Sequence, residues 1–375
     1  MIPFNRPWFA DAEVEMLSQA LRGGHTSGNG PFTARAEAQL EQIQGHGRSL
    51  LTTSCTHALE MSARLLDLQP GDEVIVPSYT FVSTASAFLW NGARPVFADV
   101  RADTLTMDPE SAESLINDRT RAICIVHYAG VGADPEVFAA MAERHGLMLI
   151  EDNAHGLGGT YQCQRLGTFG ALSTLSFHET KNITCGEGGA LVVNAAPLID
   201  RAEILREEGT DRSKFVRGQV DKYTWVDSGS SWVLSDLLAS ILVAQLDRFP
   251  QIDQERRRIW QVYHDALQDW SGTNSVIQPH IPNGAEHTGH MYYLRLADRA
   301  SRDRFISHMK DRGVMTVFHY QSLHSSPMGQ RLGEQARWCP NSDAASDGLV
   351  RLPLFVGLSE SDQARIIQAI VEFRP

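Results

Sequence analysis

From about residue 47 to 195, seven short apolar runs rich in β-branched residues alternate with helix-like stretches, and this constrains the fold more than any other feature. The runs are Ser49–Thr53, Glu73–Pro77, Pro95–Ala98, Ala122–His127, Leu147–Glu151, Leu172–Phe177 and Ala190–Val193. Between several of them lie amphipathic segments. His57–Leu68 puts Leu59, Ala63 and Leu66 on one side, and Pro135–His145 opens on proline and stops before Gly146, a helix start and stop. Strands alternating with helices predict an α/β fold, with a mainly parallel sheet covered on both faces. In such a sheet a ligand belongs at the carboxyl ends of the strands.

The remainder organises differently. Gly209 to Gly229 has no clear period and is dense in charge and aromatics, which suits a functional loop. Ser235–Phe249 and Gln251–Trp270 look helical, with Pro250 as a break between them. The tail carries a strand at His290–Leu296, a helix at Arg302–Arg312 and a second strand at Val314–His319. A boundary between domains 1–248 and 249–375 follows, the second being a smaller α+β unit.

The bulk numbers exclude several classes. A formal net charge of −12 over 375 residues argues against a nucleic-acid or anionic-membrane surface. No apolar run reaches the roughly 18 residues of a membrane span, and the N-terminus lacks the apolar core of a signal peptide. The five cysteines are odd in number and scattered without a C-x-x-C pair. They read as reduced thiols in a cytoplasm rather than a disulfide framework.

Four strand ends carry candidate chemistry. Leu51-Thr-Thr-Ser-Cys-Thr56 leads into a helix, where hydroxyls and free N–H groups make either an anion site or a simple N-cap. Pro77-Ser-Tyr-Thr-Phe81-Val-Ser-Thr84 offers an aromatic that either stacks on a flat ring or serves as core. Ile150-Glu-Asp152-Asn-Ala-His155 ends the fifth strand, and a carboxylate there needs a cation. That cation is a protonated pyridine nitrogen or a metal, unless the group is a helix cap. Ser176-Phe-His-Glu-Thr-Lys181-Asn182 sets a lysine just past a strand, beside a serine. A lysine amine condenses with an aldehyde, and a neighbouring hydroxyl binds phosphate. Anion site, aromatic plate, carboxylate and lysine, in that order, match the four contacts that pyridoxal 5'-phosphate (PLP) requires. Metal readings are weaker. His178-Glu179 is not H-E-x-x-H, because Asn182 holds the second histidine position. His319 and His324 are five residues apart, off a common helix face, so no metal ligand set is expected.

These residues resemble the DegT/DnrJ/EryC1/StrS sugar-nucleotide aminotransferases, a branch of the aspartate-aminotransferase fold (fold type I). The resemblance runs from Asn5-Arg-Pro through Thr53-Ser-Cys-Thr-His-Ala-Leu59, Gly71–Phe81, Glu151-Asp152 and Lys181 to His319-Tyr320 and Arg351-Leu-Pro-Leu354. It implies a large domain with a seven-stranded sheet and a smaller C-terminal domain. It also implies that Lys181 carries PLP and shuttles the proton, that Asp152 pairs with the pyridine nitrogen, and that Phe81 stacks on the ring. Ser54, Cys55 and Ser176 would lie on the phosphate, and His155 stands where many relatives have glutamine near the ring hydroxyl. Ser231 stands where many relatives reach the partner subunit's phosphate with an asparagine; it is a shorter donor.

The Ser176–Asn182 run and Arg217-Gly-Gln-Val-Asp-Lys-Tyr-Thr-Trp225 are similar to a narrower branch, which aminates C4 of dTDP-4-dehydro-6-deoxy-D-glucose with L-glutamate. That likeness implies a cytoplasmic homodimer with composite sites and no nucleic-acid or membrane partner. Arg212, Arg217 and Lys222 would hold the diphosphate, and Tyr223, Trp225, His319 and Tyr320 the rest of the nucleotide sugar. Three rivals remain open: a sugar dehydratase of the same fold, which would carry histidine in place of Lys181, a PLP-binding regulatory protein, and an aminotransferase acting on another keto-sugar or a cyclitol.

Overall fold

The computed structural model describes residues 1–132, 134–334 and 337–375. Its strands, in chain order, are β1 Arg48–Thr52, β2 Glu73–Pro77, β3 Arg94–Ala98, β4 Thr120–Val126, β5 Met148–Asp152, β6 Thr160–Tyr161, β7 Gln164–Arg165, β8 Leu172–Ser176, β9 Gly189–Val193, β10 Ala285–Glu286, β11 Tyr292–Arg295 and β12 Leu349–Leu352. Seven of them form one sheet in the order β1-β9-β8-β5-β4-β2-β3. Pairing is parallel from β8 through β5, β4 and β2 to β3, and antiparallel where β9 joins β8 and β1. All seven expected strands are present, with ends shifted by one or two residues.

Both faces of this sheet are buried, which is why its strands read as continuous apolar runs. Leu50, Val74, Val76, Cys124, Ile150, Leu172 and Leu191 face one core, against the helices Cys55–Leu65 and Ser83–Trp90. Leu51, Leu175 and Val192 face a second, against Pro31–Gln44 and Asp236–Asp247. Ile75, Ile123, Ile125 and Leu149 face a third, against Pro135–His145. The carboxyl ends of β5 and β8 and the start of the helix Cys55–Leu65 converge on one rim of the sheet.

The C-terminal part has its own core. Ile259, Tyr263 and Leu267 of the helix Phe249–Asn274 pack with Tyr292, Leu294, Phe305, Val350 and Ile366. Four details differ from the sequence reading. Pro250 does not break a helix; the break lies between Asp247 and Phe249, and Pro250 occupies the first turn of the next helix, where its missing N–H costs nothing. Val314–His319 is not a strand. It makes only the isolated bridges Ile2 to Val314 and Val317 to Arg351, and the partner of β11 is β12. The loop after Gly209 contains a short helix, Arg212–Val216, and is closed by a bridge between Thr210 and Trp225. A small sheet of β10, β6 and β7 was not foreseen. No helix among the described residues is long and apolar enough to cross a membrane.

Candidate active site

A cavity of about 440 Å³ opens at the carboxyl ends of the strands, between the large sheet and the C-terminal part. Ser54, Cys55, Phe81, Asp152, His155, Ser176, Lys181, His319 and Tyr320 all line it. They come from positions far apart in the sequence, each placed by a strand end or a helix start.

Ser54 is the N-cap of the helix Cys55–Leu65, and its Oγ accepts from His57 N at 3.1 Å. Beside this turn runs Gly189, opposite Thr52 on β1 and Ser176 on β8. A Cβ on Gly189 would collide with the backbone of Ser54 and Cys55. The glycine therefore leaves the helix N-terminus open as a cradle of N–H donors with a positive dipole end, suited to a phosphate. The N-cap is observed, and it leaves room for an anion at the same helix start.

Asp152 ends β5 and is 5% exposed. Its Oδ2 accepts from Thr84 Oγ1 at 2.8 Å and its Oδ1 from Ala154 N at 3.2 Å. Burial raises its carboxyl above the ordinary value, while the Thr84 hydroxyl and the charge of Lys181 oppose that rise. The group calls for a cation, and among the described residues no arginine or lysine forms an ion pair with it. Lys181 sits one turn past the end of β8, held by its own N–H to His178 O at 2.9 Å. Burial lowers its pKa, so the amine is neutral more of the time than an ordinary lysine. Of the chain's four lysines, Lys181, Lys214, Lys222 and Lys310, only Lys181 lines the cavity.

The other wall is aromatic. His155 stacks on His290, with centroids 4.1 Å apart, and His290 Nδ1 meets Asn182 Oδ1 at 2.9 Å. His319 Nδ1 meets the Tyr128 hydroxyl at 2.7 Å, and its ring stacks on Tyr320. Burial holds His155, His290 and His319 well below the usual imidazole range, with neighbouring positive charges adding to it. All three are therefore neutral. Phe81, 53% exposed, stands at the mouth with Tyr320.

The loop expected to hold the nucleotide sugar lies elsewhere. Arg212, Arg217, Lys222, Tyr223 and Trp225 are exposed, and none lines the cavity of its own chain. Arg217 is paired with Glu203 at 2.7 Å and Arg212 stands 4.0 Å from Glu207. Ser231 is exposed and forms a bridge to Glu207, away from the cavity. Sequence reasoning missed Thr84, Asn182, His290, Arg256 and Arg351, which the structure brings to the site. Thr84 and Asn182 lay inside runs already singled out and Arg351 inside a motif of the resemblance; His290 and Arg256 follow no strand end of the large sheet, and only the fold brings them in.

Residues 8–371 match the DegT/DnrJ/EryC1/StrS aminotransferase family. The chain belongs to that family. Solved structures agree over nearly the whole length. The aminotransferase TlmJ from Streptoalloteichus hindustanus is 30% identical with a TM-score of 0.91, covering 99% of this chain and 98% of its own. A putative sugar aminotransferase, Spr1654 from Streptococcus pneumoniae, in its PMP form, is 29% identical with a TM-score of 0.91 over the same shares, 99% and 98%. 3-Amino-5-hydroxybenzoic acid synthase is 28% identical with a TM-score of 0.89, covering 98% of this chain and 97% of its own. The family is PLP-dependent, the fold is the PLP-transferase fold of type I, and the protein is a PLP-dependent aminotransferase.

The residues present fit that cofactor. The glycine-backed cradle at Ser54 and Cys55 suits its phosphate, and the buried Asp152 carboxylate suits its ring nitrogen. Among the described residues the buried Nδ1 of His155 lacks a hydrogen-bond partner, and Lys181 Nζ has no acceptor.

Proposed function

We propose that the protein transfers the amino group of L-glutamate to C4 of dTDP-4-dehydro-6-deoxy-D-glucose, giving dTDP-4-amino-4,6-dideoxy-D-galactose for a surface polysaccharide. The observation that carries the aminotransferase half is a half-buried lysine and a buried carboxylate lining one cavity beside the start of the helix Cys55–Leu65. The sugar half is supported by sugar aminotransferases among the solved neighbours and by the Arg217–Trp225 run. When bound, PLP supplies the carbonyl that accepts the amino group and a ring that spreads the charge left by a departing proton.

The chain's own residues do the rest. Lys181 Nζ takes the proton from Cα of the donor and later delivers one to C4 of the sugar; burial lowers its pKa, which favours the neutral amine that the first task needs. Asp152 holds a proton on the ring nitrogen. Thr84 Oγ1 and Ala154 N in turn hold Asp152 as the acceptor. The neutral imidazoles of His155 and His319 line the cavity without adding charge that would compete for the proton on Lys181.

A homodimer with composite sites belongs to this reading. Val216, Tyr223, Trp225 and Val226 are exposed on a loop that does not cover its own cavity, and a partner's cavity gives those side chains a role. Arg212, Arg217 and Lys222 would then meet the diphosphate there, with Ser231 near the partner's cofactor phosphate. Domains 1–248 and 249–375 close around the site. A second reading, a non-sugar cyclic ketone as acceptor, draws on the neighbour named 3-amino-5-hydroxybenzoic acid synthase. The test is incubation with glutamate and a panel of nucleotide keto-sugars and a cyclic ketone, with products identified by NMR. The 4-amino-galacto nucleotide sugar is the expected product; amination of the cyclic ketone alone would reject the sugar reading.

A further inference from the structure

A lysine that parts from the cofactor and returns to it needs a segment of fixed geometry beneath it. The segment that carries Lys181, residues 179–183, is neither strand nor helix. Ahead of the lysine it is pinned twice: Glu179 N donates to Gly186 O at 2.9 Å, and Asn5 Nδ2 donates to Glu179 O at 3.1 Å. Behind the lysine the side chain of Asn182 does the holding. Its partners are Thr288 and His290, which lie between β10 and β11.

The neighbours of the Asn182 amide decide its orientation. Thr288 O, 2.9 Å away, can only accept, so it takes the Nδ2–H. Oδ1 is therefore the atom that faces His290 Nδ1 at 2.9 Å, and His290 carries its proton on Nδ1. Burial keeps that ring neutral, so the hydrogen bond selects one tautomer and leaves Nε2 bare. The ring stacks on His155 with 16° between the planes. Thr288 completes the circuit, because its Oγ1 donates to His155 O at 2.7 Å. Asn182, His290, His155 and Thr288 thus close a ring of hydrogen bonds and one stack. This ring is seated on the large sheet. Thr288 is fully buried, its N–H donates to Gly130 O at 3.2 Å just past β4, and a Cβ on Gly130 would stand 1.9 Å from Thr288 Oγ1.

We propose that Asn182 is a positioning residue: it ties the far side of the lysine segment to the rim of the sheet, so that a freed Lys181 Nζ returns to the same point for each proton transfer. A displacement of about 1 Å at a reacting atom costs on the order of 100-fold in rate, which is what such a tie protects against. Asn182 itself touches no reacting atom, and nothing covalent is asked of it. The inference rests on the role of Lys181 proposed above and not on the identity of the acceptor.

The experiment has two readings, both on PLP-loaded enzyme. Nitrogen-15 NMR with labelled histidine, the His290 signals being assigned by their absence in His290→Phe, should find the His290 proton on Nδ1 in wild type and no longer confined there in Asn182→Ala. A wild-type proton on Nε2 would overturn the arrangement. Single-turnover spectroscopy with glutamate and with α-deuterated glutamate follows the lysine. In Asn182→Ala the proton-transfer step should slow by roughly 5- to 150-fold, the rate equivalent of two neutral hydrogen bonds. The deuterium effect should be at least as large as in wild type, and PLP retention and glutamate affinity should hold. His290→Phe keeps a ring against His155 but cannot donate, so it should slow the same step by roughly 2- to 12-fold, the value of one such bond. His290→Asn, whose amide donates from near the place of Nδ1, should recover most of that loss. Wild-type rates in Asn182→Ala and His290→Phe would overturn the proposal. So would a loss carried by PLP release or glutamate affinity, which would make Asn182 a general support of the site, or a His290→Asn enzyme as slow as His290→Phe. Failure of the Lys181 reading shows separately, as a borohydride label on another lysine, and the proposal would fall with it.

Discussion

Replacing Thr84 by valine removes one hydroxyl and almost no volume. The hydroxyl donates to Asp152 Oδ2 at 2.8 Å, and among the described residues the only other hydrogen bond to that carboxylate comes from Ala154 N at 3.2 Å. A hydrogen bond to a charged group contributes about 1.5–3 kcal/mol. A carboxylate that loses it becomes easier to protonate, by about 1–2 pKa units at 1.36 kcal/mol per unit. The sign follows from the structure. The Thr84 bond lowers the Asp152 pKa against burial, so its loss raises that pKa. Asp152 then holds the ring proton less firmly, and the acid limb of the rate profile moves to higher pH. The half-reaction with glutamate should slow by roughly 10- to 150-fold near neutrality, the same energy expressed as a rate. Stopped-flow absorbance of PLP-loaded Thr84→Val, measured across pH, reads both quantities. Thr84→Ser keeps the hydroxyl and should stay near wild type. A Thr84→Val enzyme with an unshifted acid limb, or a Thr84→Ser enzyme as slow as the valine variant, would refute this reasoning.

Two further outcomes follow from particular contacts. Gly189→Ala should release PLP readily, because the added Cβ meets the backbone of Ser54 and Cys55 and must push apart the phosphate cradle; dialysis followed by absorbance detects the loss, and full retention would remove that turn from cofactor binding. Arg217→Ala should weaken use of the nucleotide sugar while sparing the glutamate half-reaction, since Arg217 lies outside the cavity of its own chain; single-turnover measurements separate the two, and equal damage to both would make the loop a general support of the site.

The sheet was legible because each of its strands is buried on both faces, which writes the strand into the sequence as an unbroken apolar run. That Ser54, Phe81, Asp152 and Lys181 gather at one cavity was legible for a related reason: strand ends are where such runs stop and polar residues begin. The C-terminal part was harder. Val314–His319 alternates like a strand but finds only single bridges. Leu349–Leu352 does pair with β11, yet it is four residues long with a charge inside it. That charge, Arg351, read as part of a family motif and not as a site residue, because only the pairing of β12 with β11 brings it into the cavity. The ion pairs of the loop cations were not legible either. In the fold Arg217 meets Glu203 at 2.7 Å and Lys214 meets Asp200 at 2.9 Å, both acids on or at the helix Ile199–Arg206. Pairings over a dozen residues, made by a chain reversal, leave no periodic trace.

The central claim is that one lysine carries the cofactor at the floor of this cavity. The chain has four lysines to choose from, and three of them, Lys214, Lys222 and Lys310, stand outside the cavity. Borohydride reduction of the PLP-loaded enzyme, followed by peptide mass spectrometry, fixes the cofactor to whichever lysine held it. The predicted result is a single labelled peptide carrying Lys181; a label on Lys214, Lys222 or Lys310 would contradict the account.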